Sequence, residues 1–190
     1  MTNFTPSVCI VGIGQMGLGI AKNIQNAGYL NSIFEINTSL LDELDNTENL
    51  VINDAEMGLK SSNILIFVVP STTQIRDFLF GSNWIDNIEE NTIIVDLTTS
   101  NPDETKRLSK ELNDRNISYI DCGMTGGAQG AEKGTLTLMM GGDGSVIKSA
   151  TPALETFTNR LVHVGKVGSG HALKLIHNMV THTIFLSTVE

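Results

Sequence analysis

The segment Gly12-Ile13-Gly14-Gln15-Met16-Gly17 follows directly after the apolar run Val8-Cys9-Ile10-Val11. The run is typical of a buried strand, and the apolar spacing over 15–27 predicts a helix. In this G-x-G-x-x-G pattern the glycines allow a tight turn, close approach of the backbone to a pyrophosphate, and close packing of helix on strand. The N–H groups at the start of the helix attract phosphate. The six residues 12–17 are therefore predicted to bind a dinucleotide.

Glu35 lies 18 residues after Gly17, near the end of a second strand predicted at 33–36. An acid at this place accepts hydrogen bonds from the ribose hydroxyls of adenosine and repels a 2′-phosphate. Ile36 follows, so that no arginine is offered to such a phosphate. The sequence thus predicts NAD in preference to NADP. The alternative, glycines that serve only a tight turn, does not account for the acid.

Strands and helices alternate along the rest of the chain. Apolar runs predict strands at 64–69, 92–97, 118–121, 135–140 and 161–164, and helices at 54–61, 101–115 and 145–157. This order predicts an α/β fold of the Rossmann type, with a doubly wound and mostly parallel sheet.

Two short polar stretches follow predicted strands, Val69-Pro70 and Thr98-Thr99-Ser100. In open α/β sheets ligands bind beyond the carboxyl ends of the strands. Both stretches are therefore candidates to contact the cofactor. Ordinary turn and cap chemistry explains them equally well.

The densest glycine segment covers residues 121–136, and its part between the two predicted strands, 122–134, is predicted to be a loop. Within it, the backbone N–H groups of Thr125, Gly126 and Gly127 lie beside a hydroxyl and form a candidate nest for a carboxylate. From composition alone, a loop without a ligand is an equally good interpretation.

A long apolar helix is predicted from about Ser169, and it carries Lys174 and Asn178 on one face, one turn apart. Lys174 lies among leucine and isoleucine, where desolvation lowers a lysine pKa toward catalytic use. The alternative is a solvated surface lysine. The chain's four histidines do not have a zinc-protease spacing, so no metal site is predicted.

Composition excludes several classes of function. The 190 residues carry a net charge of −9 and contain no cluster of lysine and arginine, which argues against nucleic acid as a partner. The longest strictly apolar run has six residues, 64–69, whereas a membrane span needs about 20. With no secretory signal and two cysteines in unrelated contexts, a cytoplasmic protein is expected.

Taken together, these segments resemble the β-hydroxyacid dehydrogenase family, the group of 3-hydroxyisobutyrate dehydrogenase and tartronate semialdehyde reductase. The resemblance rests on residues 12–17 followed by 21–23, on 121–136, and on 168–170 with Lys174 and Asn178. It departs from the family where Cys122-Gly123-Met124 replaces Ala-Pro-Val and where Thr125 replaces serine.

The resemblance implies a role for each candidate residue. Lys174 would be the catalytic lysine and Asn178 would help to hold the substrate, whose carboxylate would bind at Thr125, Gly126 and Gly127. The residues implied to line the cofactor site are Val69, Pro70, Gln74 and Thr99, in addition to 12–17 and Glu35. The implied activity is hydride transfer between NAD and a β-hydroxy acid, either 3-hydroxyisobutyrate-like or 2-hydroxy-3-oxopropionate/glycerate-like, and its semialdehyde.

Family members continue into an all-helical domain that builds a dimer. We therefore expect residues 1–164 to form the NAD(P)-binding domain and 165–190 to form the first helix of an incomplete helical domain. A homodimer or higher oligomer is expected where that domain is present. Two alternatives stay open: a truncated NAD-binding module without activity, and a nucleotide-dependent regulator of Rossmann type.

Overall fold

The computed structural model describes residues 5–189, in which eight strands form one sheet. The strands are β1 (Val8–Val11), β2 (Leu30–Phe34), β3 (Val51–Ile52), β4 (Ile64–Phe67), β5 (Ile93–Asp96), β6 (Ser118–Thr125), β7 (Leu136–Gly141) and β8 (Thr158–Gly165). The helices are α1 (Gly17–Asn26), α2 (Ala55–Lys60), α3 (Thr72–Arg76), α4 (Pro102–Asn113), α5 (Gly127–Glu132), α6 (Gly144–Leu154) and α7 (Ser169–Val189).

The strand order is β3-β2-β1-β4-β5-β6-β7-β8, and every neighbouring pair is parallel except β6 with β7. Strand order reverses between β1 and β4, where a doubly wound sheet opens a crevice at the carboxyl ends of its strands. The predicted fold class, a doubly wound and mostly parallel α/β sheet, is confirmed.

Helices pack on both faces of the sheet because side chains alternate along each strand. In β1, Val8 and Ile10 join a buried cluster with α1, α5 and α6, whereas Cys9 and Val11 join a second cluster with α2, α3 and α4. The central strands are therefore apolar on both sides, which explains why they are continuous apolar runs in the sequence.

Two expectations about local structure were wrong. The second strand is Leu30–Phe34 and not 33–36, so Glu35 and Ile36 lie just beyond its end. Residues 122–134 are not a loop: β6 continues to Thr125 because 121–125 pair antiparallel with 137–141, and α5 follows. Positive φ angles at Gly126 and Gly127 make the tight turn between the two.

Helix α7 is buried at its start and largely exposed to solvent over the rest of its length. Gly170 is packed so tightly that an added Cβ would lie 2.4 Å from the Asp121 carbonyl oxygen, and His171 is fully buried. Further along, eight large apolar side chains are 41–70% exposed: Leu175, Ile176, Met179, Val180, Ile184, Phe185, Leu186 and Val189. The helix thus docks on the sheet only by its first turns.

Candidate functional site

A cavity of about 1010 Å³ opens at the carboxyl ends of β1, β2, β4 and β5, where the strand order reverses. Ten of the eleven residues predicted to bind a cofactor line it: Gly12, Gly14, Gln15, Met16, Gly17, Glu35, Val69, Pro70, Gln74 and Thr99. The eleventh, Ile13, is fully buried and faces the core. The ten residues thus share one cavity wall, although they come from segments up to 87 residues apart (12 to 99).

The glycine turn leaves no room for side chains at two of its positions. An added Cβ would lie 2.5 Å from the Val68 carbonyl oxygen at Gly12 and 2.1 Å from the Gly12 carbonyl oxygen at Gly17. At Gly14 an added Cβ would meet nothing within 4 Å, so this backbone faces open space at the cavity. Met16, the N-cap of α1, makes no side-chain cap bond, which suits a helix start that receives an anion.

Glu35 is fixed at the rim of the cavity by backbone groups. Its Oε2 accepts a hydrogen bond from the Ile13 N–H (2.7 Å) and its Oε1 accepts one from the Asn37 N–H (2.8 Å). Asn53 in turn bonds both the N–H and the carbonyl of Glu35, at 2.9 and 3.0 Å. Ile13 therefore serves the site through its backbone, because it orients the carboxylate toward the glycine turn.

The charges on the cavity wall are acidic. The charged side chains on the wall are Glu35 and Asp77. Among the described residues that line the cavity there is no lysine or arginine. Ile36, on the same wall, is fully exposed. A wall of this charge offers hydrogen-bond acceptors to hydroxyl groups and repels an additional phosphate.

An aromatic group on the cavity wall was missed by the sequence analysis. Phe78 meets Trp84 edge to face at a centroid distance of 4.6 Å, and both contact Phe34, at 5.1 and 5.2 Å. All three line the cavity, as do Asn53 and Met124. The available signal was the concentration of aromatic residues in 78–84, directly after β4 and α3.

The loops after β4 and β5 are joined to each other. The Ser100 hydroxyl accepts a hydrogen bond from the Thr72 N–H (2.7 Å), and Asp96 accepts one from the Thr98 N–H (2.8 Å). Thr98 and Thr99 line the cavity, whereas Ser100, named as a candidate contact, is buried and holds α3 instead.

The residues predicted to bind substrate lie beside this cavity and not on its wall. Thr125 ends β6, and exposed Gly126 and Gly127 follow it. Lys174 packs against the same strand, since an added Cβ at Gly123 would lie 2.6 Å from the Lys174 Cβ. Burial lowers the pKa of Lys174. Asn178, one turn further, is half-buried.

Strand β6 connects the two groups of residues. Met124 lines the cavity, while Gly123 before it contacts Lys174 and Thr125 after it leads into the glycine turn. Asp121, earlier on the strand, accepts the Gly168 N–H (2.7 Å) and the His171 N–H (2.8 Å), so it fixes the start of α7. Burial raises the pKa of Asp121, and those two N–H groups oppose the rise.

Residues 5–189 contain no group of three histidine, cysteine, aspartate or glutamate side chains placed to hold a metal ion. Within the same residues, no helix has the length and apolar character needed to cross a bilayer.

Comparison with known proteins agrees with this geometry. A family model described as the NAD binding domain of 6-phosphogluconate dehydrogenase matches residues 7–165. The 2-hydroxy-3-oxopropionate reductase of Escherichia coli is 31% identical over 171 residues, covering 90% of this chain and 58% of that enzyme. The chain belongs to the β-hydroxyacid dehydrogenase family.

Other family members show the same partial coverage. The NAD-dependent L-serine dehydrogenase of Pseudomonas aeruginosa is 26% identical, over 96% of this chain and 62% of that enzyme. The structure titled Mycobacterium tuberculosis 3-hydroxyisobutyrate dehydrogenase with L-serine superposes with a TM-score of 0.85 at 22% identity, over 93% of this chain and 60% of that one. The chain thus spans about three fifths of the length of these relatives.

Proposed function

We propose that this chain forms the cofactor-binding part of an oxidoreductase that interconverts a β-hydroxy acid and its semialdehyde with NAD. The observation that carries the proposal is the cavity at the switch point of the sheet, where the glycine turn and the fixed Glu35 carboxylate share one wall. The proposed substrate class follows the activities for which the relatives are named, among them 3-hydroxyisobutyrate dehydrogenase and 2-hydroxy-3-oxopropionate reductase.

The residues present fit a dinucleotide. The open backbone at Gly14 and the start of α1 would hold the pyrophosphate, and Glu35 would accept the adenosine ribose hydroxyls. NAD, when bound, supplies the hydride acceptor. We propose NAD over NADP because Glu35 and Asp77 give the wall acidic charge, and Ile36 adds no cation.

Lys174 is proposed as the general acid–base. In the oxidation direction its neutral Nζ would take the proton from the substrate hydroxyl, and in reduction the ammonium would return it. Burial lowers the pKa of Lys174 and so increases the fraction of neutral amine near neutral pH. Asn178 would orient the same oxygen, and Thr125, Gly126 and Gly127 would bind the carboxylate.

The proposal extends to assembly and location. We propose that α7 (within 165–190) begins a helical domain distinct from 1–164, and that the protein is a homodimer or higher oligomer, because the exposed apolar side chains of α7 need a partner. We propose a cytoplasmic location because Cys9 and Cys122 are both free and buried. Burial raises the pKa of Cys9 to about 12, so its thiol is inert.

A second candidate function is an NAD-binding module without catalysis. It is favoured by one observation: Lys174 and Asn178 lie beside the cavity and not on its wall. This module would bind NAD and show no turnover with any hydroxy acid.

One experiment tests the proposal against the module. Affinities for NAD and NADP are measured by calorimetry, and turnover is then assayed with a panel of β-hydroxy acids, for the unmodified chain, Lys174→Met and Lys148→Met. We expect tighter binding of NAD, and a loss of turnover of about 10²-fold or more for Lys174→Met alone. Lys148 is the matched control because it is exposed on α6. NAD binding without turnover in the unmodified chain would establish the module, and equal or tighter NADP binding would refute the cofactor preference.

A further inference from the structure

A buried polar cluster lies where β5, β6, α4 and α7 meet. It is next to the loop Thr98–Thr99, which lines the cavity and is called the cofactor loop below. Asp96, Thr105, Asp121 and His171 are fully buried there, and Tyr119 is 5% exposed. Burial, and then the neighbouring Asp96, raise the pKa of Tyr119, so its hydroxyl keeps its proton and donates a hydrogen bond to Asp96. The proposed reaction uses none of these side chains directly.

One atom of the cluster lacks a hydrogen-bond partner among residues 5–189. His171 Nδ1 is 2.8 Å from the Thr105 hydroxyl, but His171 Nε2 is buried without a partner and lies 3.7 Å from Asp96 Oδ1. A buried polar atom that is left unpaired costs free energy, so this arrangement calls for an explanation.

The Thr105 hydroxyl has one proton and two acceptors within reach, His171 Nδ1 at 2.8 Å and the Asn101 carbonyl oxygen at 3.1 Å. If the Thr105 hydroxyl donates to Nδ1, the neutral ring carries its proton on Nε2. The contact with Nδ1 is the shorter of the two, and a bare Nε2 would turn its lone pair toward the Asp96 carboxylate, so the geometry favours this arrangement. In this arrangement the Nε2–H lies beside Asp96, with 3.7 Å between Nε2 and Oδ1.

Asp96 carries this contact to the cofactor loop. The same Oδ1 accepts the Thr98 N–H at 2.8 Å, and Thr98 lines the cavity. His171 is one turn before Lys174 on α7. Asp121 ties the backbone of α7 to β6 and β7, but it makes no hydrogen bond to the Thr98 loop among the described contacts.

We propose that His171 is a positioning residue that acts through Asp96. The Nε2–H of His171 and the Asp96 carboxylate join the start of α7 to the loop Thr98–Thr99, so the placement of Lys174 and the shape of the cofactor cavity depend on each other. By reciprocity, a change at His171 alters cofactor affinity. This inference rests on the proposed function.

The test uses the two halves of the imidazole separately. His171→Asn keeps an N–H near the Nδ1 position and loses Nε2, whereas His171→Gln places an N–H near Nε2. Thr105→Val removes the hydroxyl that contacts Nδ1 and the Asn101 carbonyl but leaves Nε2 in place, and His182→Gln is the control because His182 is exposed on α7. Each variant is examined by NMR for the amide shift of Thr98 without cofactor, and by calorimetry for NAD affinity.

We expect His171→Asn to move the Thr98 amide resonance and to weaken NAD binding about threefold to tenfold. His171→Gln is expected to restore both, and Thr105→Val and His182→Gln to leave the Thr98 amide in place. An unshifted Thr98 amide in His171→Asn overturns the inference. So does failure of His171→Gln to restore the shift.

A measurement on the unmodified chain covers the case in which His171→Asn fails to fold. The ¹⁵N–¹H spectrum of the His171 ring should show a proton on Nε2, and a bare Nε2 overturns the inference. If the unmodified chain binds no NAD, the proposed function fails, while the Thr98 amide and the ring spectrum still decide the role of His171.

Discussion

The cofactor cavity and helix α7 differ in how completely this chain covers its own apolar side chains. Beneath the cavity, Ile10 and Phe67 are fully buried, with helices on both faces of the sheet. On α7, Ile184 and Phe185 are 61% and 66% exposed. The cavity region is therefore stabilised by packing within this chain. Helix α7 is docked by a few contacts at its start, and its remaining surface is suited to a partner.

The largest effect is expected where the cavity region has no spare room. Gly17→Ala puts a Cβ 2.1 Å from the Gly12 carbonyl oxygen, far closer than two non-bonded heavy atoms approach, so the turn must move. We expect a loss of about 3 kcal/mol or more in the free energy of unfolding, together with the loss of NAD binding. Urea unfolding and calorimetry measure the two quantities.

Gly14→Ala is the matched control within the same motif. The added methyl meets no atom within 4 Å, so we expect the free energy of unfolding to stay within about 0.5 kcal/mol. NAD affinity should nevertheless fall about tenfold, because the methyl occupies the space that the phosphates need. A Gly14→Ala protein with unchanged NAD affinity would show that this backbone does not face the cofactor.

A smaller effect is expected at the junction between the two regions. Asp121→Asn keeps an acceptor for one of the two N–H groups at the start of α7 and turns an NH₂ group toward the other. We expect a loss of about 2 kcal/mol in the free energy of unfolding, typical of an unsatisfied buried donor. Thermal and urea unfolding at neutral pH measure it.

The pH dependence gives a second check on Asp121. Burial raises its pKa in the folded state, so between the unfolded and folded values the folded chain binds more protons, and Asp121 favours folding as the pH falls through that window. Asp121→Asn should remove this contribution. Asp143→Asn is the control because that exposed cap bonds only the first turn of α6, and it should change unfolding much less. Equal losses in the two variants would mean that Asp121 does not anchor α7.

The cofactor wall was predictable because its signals are local. The spacing of Gly12, Gly14 and Gly17 after an apolar run, with Glu35 at the next strand end, fixes one corner of the cavity by the geometry of a strand–turn–helix unit. The extension of β6 was not predictable, because Thr125 pairs with Thr137 across a segment that contains α5 and whose glycines are typical of a loop.

The aromatic residues on the cavity wall and the buried polar cluster were not predicted from the sequence, for another reason. Phe78 and Trp84 contact Phe34 through tertiary packing, and no short-range pattern relates residue 34 to residues 78 and 84. His171 lies 75 residues from Asp96, and its burial depends on packing between α7 and the sheet. Periodicity tells which residues share a face of a helix, but not which face the fold covers.

The smallest effect is expected on the exposed stretch of α7. Ile184→Ser should change the free energy of unfolding by no more than about 0.5 kcal/mol, because a side chain that is 61% exposed loses little packing. Ile66→Ala, in the fully buried sheet, should cost about 2 to 5 kcal/mol and marks the opposite limit. Urea unfolding of the two variants at low protein concentration makes the comparison.

Self-association separates the two possible states of this surface. If α7 is uncovered in solution, the unmodified chain should associate as its concentration rises, and Ile184→Ser should weaken that association in sedimentation runs, because it removes part of the apolar patch. If instead Ile184→Ser costs about 2 kcal/mol or more at every concentration, its side chain is already covered by a tightly bound copy. That result would end the contrast between the two regions, since α7 would then be as fully packed as the sheet beneath the cofactor cavity.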